Sequence, residues 1–191
     1  MLEIQFEQLS VEEQRILESC SVAGERFSAW AAGLMVGVAA DSMEAICERL
    51  AQRKQFIRFA GIHEAANGSE TAHYEFRHSL YRQALYRRLS SASRLKLHRN
   101  LSEGLMPLCE AGKRELASEA ALHFEEGRDY ERAARYWMLT AENATRRFSH
   151  RDAIQILRRA LELVPELPPG TGVELEIQIL QRIGDLQHTL G

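Results

Sequence analysis

The chain has 191 residues, 45% hydrophobic and 27% charged, with a net charge of −3. That balance excludes a disordered tail, because there is enough apolar surface for one domain or two small ones. It also argues against a nucleic-acid binder held by overall charge. No apolar run approaches the ~18 residues of a membrane span, and the longest small-residue run, Ala29 to Ala40, is broken by glycine. Cys20, Cys47 and Cys109 form no CxxC pair. They are expected to be buried free thiols, and an odd count without a signal sequence points to a reducing cytoplasm.

After a short apolar lead-in, Leu2 to Leu9, Ser10-Val11-Glu12-Glu13 has the form of a capping box. The hydroxyl meets the N3 amide and Glu13 reaches back to the cap. Ile16, Leu17 and Cys20 give the following helix an apolar face, and Gly24 supplies the positive φ that ends it. A second, Ala-rich helix is expected from Phe27-Ser28. A third, capped by Asp41 or Ser42, carries Met43, Ile46, Cys47 and Leu50 at helical spacing. The one convincing β signal follows. Residues 55–59 and 72–76 alternate and are rich in aromatics, and Asn67-Gly68 lies between them. Three helices and a hairpin are the layout of a winged helix.

From Ser79 onward the pattern is helical: Ser79 to Leu89, then a longer helix capped by Ser90 with Leu97, Leu101, Leu105 and Leu108 on one face. Glu115 to Glu126, Tyr130 to Phe148 and Ser149 to Leu163 follow. The proline-containing stretch 165–172 is a predicted linker, and a last helix runs from about Val173. Ala134 to Leu167 spans one period of ~34 residues, the tetratricopeptide length. Trp137, Ala141, Ala153, Ala160 and Pro165 fall where that repeat wants an aromatic, small residues and a closing proline, while Thr140 and Ala144 replace its usual Leu and Tyr. The reason for the pattern is packing: small residues let two antiparallel helices approach closely and the aromatic fills the gap beside them. Leu180, Ile183 and Gly184 repeat the spacing on the last helix. An apolar helix with no capping repeat after it leads us to expect an array that continues past the last residue.

The fold class predicted is therefore mostly α: a winged-helix-like module over residues 1–90, then tetratricopeptide-like antiparallel helical pairs over 91–191. No P-loop, GxSxG, HExxH or CxxC pattern occurs, so no catalytic residue, metal ligand or resident cofactor is expected in the chain. Adjacent pairs such as Glu12-Glu13 and Glu125-Glu126 point to different helix faces and make poor acid–base couples. Between Glu75 and Glu103 there is no acidic residue, but Arg77, Arg82, Arg87, Arg88, Arg94, Lys96 and Arg99 all occur, with His78 and His98. Such a segment attracts phosphate, or it pairs with acids such as Glu12, Glu13 or Glu125. His78 stands where the second strand gives way to a helix, beside an N-terminus that favours anions.

The string Tyr74-Glu75-Phe76-Arg77-His78-Ser79-Leu80-Tyr81-Arg82-Gln83-Ala84-Leu85-Tyr86, with Arg94 to His98, resembles the winged-helix part of bacterial AAA-type regulatory ATPases of the signal-transduction class with numerous domains (STAND). Leu116 to Phe124, Gly127 to Ala134 and Ala153 to Leu167 resemble the start of the tetratricopeptide array that follows in those proteins. The resemblance implies a non-catalytic regulatory and protein-interaction fragment that couples nucleotide state to partner binding. ATP or ADP would bind a core outside this chain, and that core would be the module's intramolecular partner. It also implies that His78, aided by Arg77, touches the ADP phosphate there; Arg77 and Ser79 stand in place of the Met and Asp that flank this histidine in a related group. Protein partners would bind the helical repeats, and the setting would be cytoplasmic. Two alternatives from the residues themselves are a DNA-binding winged-helix transcriptional regulator and a plain repeat scaffold. The first is disfavoured by Asp41, Glu44 and Glu48 on the third helix, which oppose phosphate.

Overall fold

In the computed structural model, which describes residues 2–190, the chain is mostly α-helical with a small three-stranded antiparallel sheet. It divides into two compact units, residues 1–101 and 102–191. The division falls within a helix that begins at Ser91, eleven residues later than the boundary expected at residue 90.

In the first unit α1 (Leu2–Glu7) leads to α2 (Val11–Ala23). The capping box forms as the sequence specifies: the Glu13 amide donates to Ser10 Oγ at 3.2 Å, and the Ser10 amide to Glu13 Oε2 at 2.9 Å. Strand β1 (Arg26–Ser28), α3 (Ala29–Val36), α4 (Ala40–Gln52), β2 (Ile57–Glu64) and β3 (Glu70–Phe76) follow. Strand β3 is central, in the order β1-β3-β2, with Phe27 opposite Tyr74 on one side and Phe59 opposite Tyr74 on the other. A bulge between Phe59 and Gly61 interrupts the second ladder. Gly61 has φ +106°, a conformation that favours glycine. The unit continues with α5 (Ser79–Arg88) and the first half of α6 (Ser91–Glu110). Leu17, Met35, Met43, Leu50, Ile57 and Tyr74 are almost wholly buried between helices and sheet, each contributing about 1.5–3 kcal/mol through the apolar surface removed from water. Cys20 and Cys47 lie side by side in this core. Burial, then the neighbouring Cys47 thiol, pushes the Cys20 thiol well up. All three cysteines are buried free thiols.

Several local expectations need correction. Phe27 does not open a helix. It lies in β1, and Ser28 caps α3 by accepting from the Ala31 amide at 3.1 Å. Helix α4 is capped by neither Asp41 nor Ser42 but starts at Ala40 behind Ala39, which makes no side-chain cap. The cause is the tight α3–α4 turn, where the Gly37 and Val38 amides both donate to Gly33 O and leave no room for a longer approach. Asp41 instead lies in the first turn, where a negative charge suits the helix dipole.

The second unit holds the rest of α6, α7 (Ala117–Glu126), α8 (Tyr130–Arg146), α9 (His150–Glu162) and α10 (Pro169–Leu190). Short turns join α7 to α8 and α8 to α9, so successive helices pack as hairpins. Asp129 caps α8, accepting from the Arg132 amide at 3.1 Å. Residues 165–172 are not a plain linker: a 3-10 turn covers Val164–Glu166, and α10 already starts at Pro169. Pro169 occupies the first helical position, where a missing N–H has no helical partner to lose. Among the described residues no single helix is long and apolar enough to cross a membrane.

Candidate functional site

The junction between β3 and α5 places Arg77 and His78 at the surface. The Arg77 amide donates to Phe56 O at 2.9 Å, which pins the chain as it leaves the sheet. His78 is the N-cap residue of α5 but makes no side-chain cap. Its ring instead meets Tyr81 edge-on, with centroids 5.1 Å apart, and Tyr81 in turn meets Phe56 at 5.9 Å. The histidine thus rests on an aromatic ladder rooted in the core, with its ring exposed beside the start of α5.

Arg77 lines a cleft of about 510 Å³ between α4 and the hairpin. Glu44, Glu48 and Ala51 of α4 form one wall, Phe59 and Tyr74 the other, and Lys54 and Arg58 lie toward the start of β2. Tyr74 OH donates to Glu44 O at 3.3 Å, and the Ala72 amide donates to Glu44 Oε2 at 3.3 Å, tying α4 to β3. Burial, then the charges of Cys47, Glu44 and Glu48, holds the Tyr74 phenol well above its ordinary range. Arg58 pairs with Glu75 on the opposite face of the hairpin. Lys54 and Arg77 have no ion-pair partner among the described residues. No sequence pattern joins these residues. Arg77, Glu44 and Glu48 stood out singly from the linear order, but the cleft arises only where α4 packs against the hairpin.

Part of the basic segment is structural. Arg82 Nε donates to Ser21 O at 2.9 Å, Arg88 pairs with Glu18 at 3.1 Å and stacks on Phe6, and Arg94 lies over Tyr86. The acids expected to neutralise it look elsewhere: Glu13 takes Arg53 at 3.1 Å, and Glu125 takes Arg159 at 3.1 Å. Arg87 and Lys96 face solvent, the latter at the edge of a cavity of about 330 Å³ with Arg15, Ser93 and Asn100.

On the sheet's outer face Arg26 Nη2 donates to Ala60 O at 3.2 Å and to His63 Nε2 at 2.8 Å, and the His63 and His73 rings stand 5.1 Å apart. Burial first, then the charges of His63 and Arg26, outweighs a hydrogen bond to Thr71 and lowers the His73 pKa. The described residues contain no group of three or more His, Cys, Asp or Glu side chains placed to hold a metal ion.

In the second unit the residues expected to form a repeat lie on α8, α9 and the 3-10 turn after α9. Ala141, Ala153 and Ala160 are buried where α8 meets α9, and their small size permits the close approach. Trp137, 7% exposed, donates through Nε1 to Glu125 Oε2 at 2.8 Å, and the Arg159 guanidinium lies 4.4 Å over its ring. Three helices therefore meet on one indole, through a Glu–Trp–Arg clasp that the repeat pattern does not encode. Pro165 is exposed in the 3-10 turn. On α10, Ile183 is buried, whereas Val173, Ile177 and Leu180 are exposed and Gly184 faces open space.

No protein family, curated protein or solved structure matches this chain.

Proposed function

We propose that the chain is a non-catalytic regulatory module: a winged-helix-like unit that couples nucleotide state in a neighbouring core to a tetratricopeptide-like unit that binds protein. The observation that carries this reading is the combination of α-β-α-α-β-β order and β1-β3-β2 sheet with successive helical hairpins whose buried residues include many alanines. The first arrangement supports a winged-helix reading. The second is the geometry of helical-repeat binding surfaces, and the exposed Val173–Ile177–Leu180 stripe on α10 is the kind of face such surfaces offer. The string from Tyr74 to Tyr86 supports a STAND-type ATPase as the parent protein and His78 as the group that meets the ADP phosphate. Exposure of His78 and Arg77 at the start of α5 is compatible with that contact. The setting proposed is the bacterial cytoplasm.

The helix that would read DNA in a winged-helix regulator is α4. It presents exposed Asp41 and Glu48 against a single exposed arginine, Arg49, and Arg53 just after it is held by Glu13, so phosphate is opposed there. The coupling is tested on the parent protein by cross-linking mass spectrometry with ADP and with a non-hydrolysable ATP analogue. Cross-links from Lys54 and Lys96 to the nucleotide core are expected to change between the two states, and His78→Ala is expected to speed ADP release. Identical cross-links in both states, with ADP retention unchanged in the variant, leave a plain scaffold as the correct reading.

A further inference from the structure

The hairpin leaves something unfinished. Strand β2 is an edge: the order β1-β3-β2 pairs it on one side only, over eight residues. An unpaired strand edge is a template for another extended chain, and edges are ordinarily blunted by charge, bulges or cover. Here the bulge at Phe59/Gly61 is present, but two large apolar side chains remain uncovered: Phe59 is 55% and Ile62 61% exposed. The register puts both on the face that carries Tyr74 and Ala72, since Phe59 is opposite Tyr74 and Ile62 opposite Ala72. Phe59 thus lines the 510 Å³ cleft, and Ile62 lies farther along the same face of β2, away from the polar outer face with Arg26 and His63.

The charges around the cleft are sorted along its length. Toward the start of β2 stand Lys54 and Arg77, neither with an ion-pair partner among the described residues. Beside α4 stands Glu48, exposed and likewise unpaired. Arg58 is already neutralised by Glu75. A nucleic acid would meet Glu44 and Glu48 along the whole α4 wall. A protein segment can match the two ends separately, with acid against Lys54 and Arg77 and none against Glu48.

We propose that this cleft and the free edge of β2 form a docking site for an extended segment of a partner protein, one with apolar side chains at alternate positions and acidic side chains at the end that meets Lys54 and Arg77. Main-chain pairing with β2 supplies affinity, alternate side chains fill the space beside Phe59 and Tyr74, and the acidic end fixes the direction of the strand. The site lies wholly within residues 1–101. It stands or falls independently of the repeat surface, and it shares only Arg77 with the proposed nucleotide contact, so Lys54→Glu alone, which leaves that contact intact, separates the two.

The test pans the whole chain against a displayed library of random twelve-residue peptides and measures the selected peptides by fluorescence anisotropy and amide chemical-shift mapping. The expected peptides alternate apolar residues and carry one or more acids at one end, and they perturb amides 57–64. Binding is expected to weaken roughly ten-fold in the Lys54→Glu, Arg77→Glu double variant, whose circular dichroism should be unchanged, and to recover when the peptide's acids are replaced by lysine. The proposal is overturned by an absence of selected peptides, by peptides without acids, by perturbations centred elsewhere, or by sedimentation showing that the β2 edge is taken by a second copy of the chain.

Discussion

Residues 1–101 and residues 102–191 bury their interiors with different side chains. The first unit uses large ones, such as Phe6, Leu17, Met35, Phe56 and Tyr74, around a sheet. The second adds eight buried alanines, Ala117, Ala120, Ala121, Ala133, Ala134, Ala141, Ala153 and Ala160, to large residues such as Phe124, Trp137, Leu157 and Ile179. A sheet-and-helix core leaves irregular space that large side chains must fill. Helical hairpins bring backbones together and tolerate only small side chains at the crossing. The two units therefore fail in opposite ways when the size of a core residue is changed.

The largest effect is expected at Trp137. Truncation to alanine removes the filler and leaves Glu125 and Arg159 without the indole between them, at a cost of about 3–5 kcal/mol in chemical denaturation. In the first unit Leu17→Ala is expected to cost about 2–5 kcal/mol by opening a cavity. The reverse change separates the units: Ala153→Leu should cost about 1–3 kcal/mol by overpacking the α8–α9 contact. If Ala153→Leu proved neutral, the hairpins would not be held by close approach.

Acid is expected to sharpen the contrast. Burial lowers His123, in α7, to about 4, below its unfolded value of about 6.5. Its folded state binds fewer protons than its unfolded state, so the stability it supports is full above pH ~6.5 and is lost as pH falls toward 4, about 2–3 kcal/mol in all. His73 in the first unit is lowered too, by burial and then by the charges of His63 and Arg26, so that unit also weakens on acidification. Native-state hydrogen exchange at pH 7 and pH 5 should show α7 and α8 losing protection, and His123→Gln should remove most of that pH dependence. A second unit whose protection does not change with pH would contradict the burial of a neutral His123. The smallest effect is expected at a cap: Ser10→Ala should cost about 1 kcal/mol in thermal unfolding, since the Glu13 amide loses its acceptor.

The same contrast decides what could be read from the sequence. Features set by neighbours in the chain were legible. The Ser10–Glu13 box formed, Ser90 Oγ accepts from the Ser93 amide at 3.1 Å, and the hairpin strands appeared as longer versions of the alternating runs. Ala141, Ala153 and Ala160 were legible as buried positions because helical spacing alone brings them to an apolar face. Features set by distant partners were not. Strand β1 has three residues, too few to show a period of two, and exists because β3 pairs with it. The start of α4 follows from the turn at Gly33, Gly37 and Val38 rather than from a capping side chain. The cleft needs α4 and the hairpin together, and the clasp on Trp137 needs α7, α8 and α9. Of the site residues, Arg77, His78 and Glu48 could be singled out from local charge and position, whereas Lys54 and Phe59 could not.

The central proposal is that residues 1–101 serve protein contacts and do not read DNA. Its most direct test is the anisotropy of a labelled DNA duplex titrated with the whole chain, first at low and then at physiological salt. The account predicts no binding, or weak binding that disappears as salt rises because it rests only on released counterions. Tight binding that survives physiological salt would contradict it and make α4 and the hairpin a DNA-reading surface.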